Sequence, residues 1–305
     1  MRTRAVSTLL SIAQQDRNVL LVTGDLGFGV LKPFWDNLPE QIINAGIAEQ
    51  NMTGVAAGLA LEGKTVFTYS IGNFPTLRCL EQIRNDCAYH NANVKVICVG
   101  GGFVYGSLGM SHHATEDLSV MRALPNVTIL APGDADEAEG CVRAMYETPG
   151  TFYLRLGRGG EPKIRNTPTE FSLGKALKVC DGQHLAIFTT GGIFDEAAAA
   201  AELLRQHGIC PAMYTFPTVK PIDRACIEAC AAQYELLVTV EENTVIGGFG
   251  SAVAEVLSEK PRTAGLMKIG LEDTYSTLVG TQKYLRDCYG LSGEKIARRI
   301  EGVLL

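Results

Sequence analysis

Three short stretches of the 305-residue chain gather residue types that can do chemistry. In Gly46-Ile-Ala-Glu49-Gln-Asn, a carboxylate falls where a strand gives way to a helix, the place at which open α/β sheets receive ligands. An acid in a first helical turn also complements the helix dipole, and that plainer role stands beside the first. Gly106-Ser-Leu-Gly-Met-Ser-His112-His113-Ala-Thr115-Glu116-Asp117 is a glycine-rich loop entering a helix, and it holds two of the five histidines. Neutral imidazole exchanges protons near pH 7, so His112 and His113 are candidates for acid–base work, with a surface loop capped by Thr115 as the alternative. A metal site from His112, His113, Glu116 and Asp117 is disfavoured, because adjacent residues seldom aim both rings at one ion; no metal ligand is assigned. Arg155 and Arg158 close TFYLRLGRGG, where two guanidinium groups could grip an anionic substrate or anchor the following segment through salt bridges. Gly248-Phe-Gly250 and GGGFVYG (100–106) each lack part of a dinucleotide fingerprint, Tyr105 standing where the last glycine of the second should be.

These residues need a scaffold, and the pattern around them supplies one. VLLVTG (19–24), QIINAG (41–46), KTVFTYS (64–70), VKVICVG (94–100), VTILAP (127–132) and TFYLRL (151–156) are rich in β-branched and aromatic residues and end in turn formers, so they read as buried strands. Met52, Val55, Ala56, Leu59 and Ala60 keep helical spacing, with Gly63 at the C-terminal cap position. Leu77, Leu80, Ile83, Arg84 and Cys87 outline a second helix, and Asp134 followed by Glu137 is a capping-box start to a third. Alternating strands and helices imply parallel sheets covered on both faces. GRGGEPKIRNTPTEFS (157–172) breaks the pattern, after which LAIFTTGG, PAMYTF, ELLVTVEE and GLMKIG begin a second α/β run with helices at 195–207, 251–259 and 294–304. The predicted fold is therefore α/β with two doubly wound, mostly parallel-sheet domains, 1–160 and 175–305, joined by a linker over 161–174.

The length is twice the roughly 150-residue prior for one domain, in keeping with that division. A net charge of -6 with no Lys/Arg block argues against a nucleic-acid partner. No apolar run approaches the roughly 18 residues that span a bilayer, and the opening MRTRAVSTLLSIAQQ is broken by Gln14 and Gln15, so no membrane partner is expected. Nine scattered cysteines with one CxxxC (Cys226, Cys230) and no CxxC fit a reducing compartment better than disulfides or zinc, and the expected location is the cytoplasm.

Taken together, GIAEQNMTGVAAGLALEG, the aromatic-rich loop leading into LEQIRND, SHHATEDLSVMRALPNVTILAPGD and VTVEENTVIGGFGSAVAEVL resemble the transketolase superfamily of thiamine diphosphate enzymes. The resemblance covers essentially the whole chain and matches the second half of a full-length transketolase or deoxyxylulose-phosphate synthase, the pyrimidine-binding and C-terminal domains. It implies that Glu49 hydrogen-bonds the aminopyrimidine ring and promotes the imino tautomer that deprotonates the thiazolium carbon. It implies further that Phe74 stacks on the pyrimidine, a contact worth about 0.5–1.5 kcal/mol beyond area burial. Tyr69 is a second candidate for that contact, and Asp25 is assigned to the same cofactor pocket. His112 matches a histidine that faces substrate and moves protons, His113 stands where glutamine is usual, and Arg155 corresponds to an anion-binding arginine, with Arg158 beside it on the substrate side.

Leu108 replaces a frequent acid and Gly100 a phosphate-gripping His or Arg, so the usual preference for phosphorylated, hydroxylated sugars is not carried over. The GDG and Asn-Asn elements that hold Mg²⁺ and the diphosphate in this superfamily are absent from the chain. The resemblance therefore implies a split enzyme: an N-terminal diphosphate-binding partner subunit carrying the Mg²⁺ ligands, an α2β2 heterotetramer, and transfer of a two-carbon ketol unit from a ketose to an aldose. The alternatives are a 2-oxoacid-using relative, like deoxyxylulose-phosphate synthase or a pyruvate dehydrogenase β subunit, and a non-catalytic stabilising subunit.

Overall fold

The buried β-rich runs assemble into two sheets. A computed structural model describes residues 1–164, 170–260 and 263–304, so part of the expected linker, 165–169, lies outside the described residues. The first sheet contains β1 (Val19–Thr23), β2 (Ile42–Asn44), β3 (Thr65–Ile71), β4 (Val94–Val99), β5 (Val127–Leu130) and β6 (Thr151–Leu156), all parallel, in the order β5-β6-β4-β3-β1-β2. Every residue of β1, β4 and β6 is buried, as a parallel sheet covered on both faces requires. The second sheet is built from β7 (Leu177–Cys180), β8 (Leu185–Thr189), β9 (Ala212–Thr215), β11 (Leu236–Thr244) and β12 (Gly265–Leu271), in the order β12-β11-β8-β9-β7 with β7 antiparallel at the edge. The remaining strand, β10 (Thr218–Lys220), crosses back and pairs antiparallel with β5, Thr218 opposite Leu130. The C-terminal half thus lends the N-terminal sheet its edge.

The helices are α1 (Arg2–Gln15), α2 (Lys32–Asn37), α3 (Glu49–Leu61), α4 (Asp117–Ala123), α5 (Ala135–Glu147), α6 (Phe194–Gln206), α7 (Arg224–Gln233), α8 (Phe249–Ser258), α9 (Gln282–Cys288) and α10 (Gly293–Leu304). On one face of the first sheet, Met52, Ala56 and Ala60 of α3 bury themselves against Val22, Val66 and Cys98. On the other, Leu9 and Ile12 of α1 meet Cys141 and Met145 of α5 over Phe67, Tyr69 and Ile97. Asp134 does cap α5, its Oδ1 accepting the Glu137 N–H at 2.9 Å. Glu137 in turn accepts from Gly133 at 2.8 Å, one residue earlier than the reciprocal bond of a capping box. The helix expected near 77–87 is instead a 3₁₀ turn (Leu77–Cys79), one α turn (Leu80–Gln82) and a π turn (Ile83–Ala88), still burying Ile83 and Cys87. Among the described residues no helix is long and apolar enough to cross a membrane.

Candidate functional site

The loops at the carboxyl ends of β2, β3, β4 and β6 converge on one cleft, the position expected for ligands of an open α/β sheet. Gly46, at φ +74°, turns the chain from β2 into α3, so the first helical residue, Glu49, points its carboxylate inward and is only 2% exposed. Gly24 lies against it: a β-carbon there would stand 3.4 Å from Glu49 Cγ. The Arg78 guanidinium donates to Glu49 Oε2 from Nη1 at 2.6 Å and lies 4.6 Å over the centre of the Phe74 ring. Phe74 meets His112 edge-on at 5.1 Å, and the His112 Nδ1 is 3.0 Å from the Ser111 hydroxyl. Partial burial, with a smaller contribution from neighbouring His113, holds the His112 pKa below the ordinary imidazole value, so its ring is neutral near pH 7. Tyr105 approaches His112 at 6.4 Å, and the exposed Arg158 guanidinium sits 5.8 Å over the Tyr105 ring. Carboxylate, guanidinium, ring, imidazole, phenol and second guanidinium thus follow one another along the cleft.

Glu49, Phe74 and His112 are therefore brought together. Asp25 stands one loop away at φ +56°, exchanging hydrogen bonds with Asn44: its N–H donates at 3.0 Å and its Oδ1 accepts at 2.9 Å. Asn44 also accepts from Gly46 at 3.0 Å, so Asp25 braces the turn that launches α3.

Tyr69, His113 and Arg155 are all buried. Tyr69 does not join Phe74: strand alternation turns it to the opposite face of β3, into the core with Leu31 and Phe34, where burial pushes its phenol pKa up. His113 does not reach the cleft beside His112; it is buried, its Nε2 3.1 Å from the Gly106 carbonyl and its ring edge-on to Phe103 at 5.2 Å, so it braces the glycine-rich loop from within. Arg155 lines the cavity between the two halves together with Arg158 and Arg286 and is held by partners of its own. Its Nε donates to Asp117 Oδ2 at 2.8 Å and its Nη2 to the carbonyls of Ala114 (2.8 Å) and Glu242 (2.9 Å), with Tyr153 donating to the same Asp117 oxygen at 2.6 Å. Burial is the largest single influence and would lower the Arg155 pKa, but the charge and hydrogen bond of Asp117 together with Tyr153 and Glu242 outweigh it and raise it. Thr115, considered as a helix cap, instead donates to Glu116 Oε2 at 2.9 Å.

Two residues of the cleft carry no clear signal in the sequence. Arg78 has no local signature, since its partner is 29 residues away. Tyr105 shows only as an interruption of a glycine run, yet it explains Gly100: at φ +100°, a β-carbon at position 100 would fall 2.3 Å from the Tyr105 ring. The ring fills the space a larger residue there would need. Behind the cleft, Gly101, Arg158, Gly191, Glu242 and Arg286 help line a cavity of about 210 Å³ between the two halves. Among the described residues no group of three or more His, Cys, Asp and Glu side chains could hold a metal ion.

Fold and cleft together define a two-unit α/β protein with a buried acid and an aromatic ring at the ends of parallel strands. Residues 1–162 match the pyrimidine-binding domain of transketolase and residues 174–296 the transketolase C-terminal domain. The chain is 37% identical to an apulose-4-phosphate transketolase subunit of Phocaeicola vulgatus, over 95% of this chain and 93% of that one. It is 35% identical to the 6-deoxy-6-sulfo-D-fructose transketolase subunit SqwH of Clostridium sp. MSTE9, over 98% and 92%. Among solved structures, an inactive tetramer of four β chains from a split-gene transketolase superposes with a TM-score of 0.88 at 34% identity, covering 99% of this chain and 96% of the other. The chain belongs to the transketolase family, whose members depend on thiamine diphosphate.

Proposed function

We propose that this chain is the C-terminal, β-type subunit of a split transketolase and supplies the pyrimidine half of a shared active site. The observation that carries the reading is the pairing of Glu49 and Phe74: a buried carboxyl group and an aromatic face, close enough to be bridged by one planar group, the Arg78 guanidinium. That pairing fits an aminopyrimidine: Glu49, once it carries a proton, would donate it to a ring nitrogen while Phe74 supports the ring's plane. Bound there, thiamine diphosphate supplies a carbon that takes up and releases a two-carbon ketol unit. His112, neutral near pH 7, is placed to move a proton at a substrate hydroxyl. Arg158 and the Tyr105 hydroxyl would hold the substrate's anionic end, with Arg155 lining the cavity beside Arg158. The two relatives act, by name, on a phosphorylated and a sulfonated sugar, and one exposed guanidinium serves either anion. On the other flank Leu108 and Met110 are both more than half exposed, and they favour a substrate with fewer hydroxyls on that side.

In this reading residues 1–160 form the pyrimidine domain and 175–305 the C-terminal domain, 161–174 linking them. Mg²⁺ and the diphosphate belong to an N-terminal partner subunit, and two of each chain form an α2β2 enzyme of carbohydrate metabolism. Nine unpaired cysteines, five of them buried, support a reducing, cytoplasmic setting. The test is calorimetry with thiamine diphosphate and Mg²⁺, on the chain alone and with its partner. Weak binding alone, restored together with ketol transfer by the partner, is expected. Tight stoichiometric binding by this chain alone contradicts the split site, and CO₂ release from pyruvate by the complex would move the reading to a 2-oxoacid-using enzyme.

A further inference from the structure

Arg78 satisfies Glu49 in a way that resembles a ligand more than a structural partner. Its guanidinium is flat, donates from Nη1 to the Glu49 carboxylate at 2.6 Å, and lies 4.6 Å over the Phe74 ring. A flat aminopyrimidine that hydrogen-bonds Glu49 and stacks on Phe74 needs those same two contacts and the same space. The pair is also lopsided: the Glu49 side chain is 3% exposed and that of Arg78 47%. A buried carboxylate needs a donor, whereas a half-exposed arginine on a 3₁₀ turn can leave for water at little cost.

We propose, resting on the function proposed above, that Arg78 is an internal occupant of the pyrimidine seat, displaced when the cofactor binds, and that it sets cofactor affinity. Glu49 then always has a partner: as a carboxylate it accepts from the guanidinium in the free subunit, and on loading it takes up a proton from water and donates it to the ring nitrogen of the aminopyrimidine. Displacement draws on binding free energy that the diphosphate contacts of the partner subunit provide, so loading is coupled to assembly. The aminopyrimidine alone, whose ring nitrogen accepts a neutral hydrogen bond from Glu49, has to compete against a charge-assisted bond and a cation–π contact.

The experiment measures thiamine diphosphate affinity and association rate by calorimetry and stopped flow in the complex with the diphosphate-binding partner and Mg²⁺. Wild type is compared with Arg78→Ala, Arg78→Gln and Arg78→Lys; the glutamine variant keeps much of the length and packing of the side chain should the alanine variant fold poorly. Loss of the guanidinium is expected to tighten cofactor binding about tenfold or more in the glutamine and alanine variants, as the removal of one charge-assisted competitor should, with lysine in between. Unchanged or weaker binding in both neutral variants overturns the proposal. A wild-type complex that binds no thiamine diphosphate overturns the functional reading itself, a result distinguishable from the first because it precedes any substitution.

Discussion

The chain holds two arginine–carboxylate pairs of nearly equal length that do opposite things. Arg78–Glu49 spans 2.6 Å and Arg155–Asp117 2.8 Å. In the second pair both side chains are buried, at 4% and 0% exposure, and the ions are laced to Tyr153, Ala114 and Glu242. Those bonds tie α4 and β6 of the first domain to β11 of the second. In the first pair the arginine reaches water, makes a single hydrogen bond to its acid, and covers an aromatic face that a ligand could use. Chemical type and distance do not distinguish a structural ion pair from a displaceable one. The number of further partners and the path to solvent do.

The widest separation between the pairs is expected in stability. Asp117→Ala leaves Arg155 charged and buried, which should cost about 3–5 kcal/mol in urea unfolding, while Arg78→Ala leaves Glu49 without its one donor and should cost less, about 1–3 kcal/mol. Similar losses for both would erase the distinction. Substrate grip should divide the two arginines of β6 and its following loop. Arg158→Ala is expected to raise KM for an anionic acceptor by roughly ten- to a hundredfold and to spare a neutral acceptor of equal length. An equal effect on both acceptors would remove Arg158 from the anion site. Loss of the α5 cap in Asp134→Ala calibrates the scale at about 1 kcal/mol, far from either pair.

The smallest effect expected concerns protons. The lowered His112 pKa means that the folded chain favours neutral imidazole, so its contribution to stability is present above the ordinary value of about 6.5 and is lost as pH falls through the folded pKa. The acid limb of ketol transfer should follow the same titration, seen by NMR of the His112 ring. A His112 pKa above the ordinary value would contradict the geometry around it.

Much of this was legible in residue patterns and some was not. The inner parallel strands of the first sheet, β1, β3, β4, β5 and β6, announce themselves because parallel strands buried on both faces are continuous β-branched and aromatic runs. The edge strands β7 and β10 do not: one is partly exposed, and the other has three residues and finds its partner in the distant β5. Glu49 and His112 sit in local motifs that specify their own turns. Arg78 and Tyr105 acquire meaning only when distant loops meet, and strand alternation and a buried acid 38 residues upstream decide where the Tyr69 and Arg155 side chains go. Residue type was readable throughout; orientation was not.

The most direct test of the claim that this chain supplies the catalytic acid is the rate at which the thiazolium carbon of bound thiamine diphosphate exchanges its proton for deuterium, followed by quenched NMR. The complex of this chain with its diphosphate-binding partner is compared with the same complex carrying Glu49→Gln. The glutamine variant should fold and assemble normally and exchange more slowly by about a hundredfold or more, the loss expected when acid–base assistance is removed. Equal exchange rates in the two complexes, with cofactor bound in both, would contradict the account.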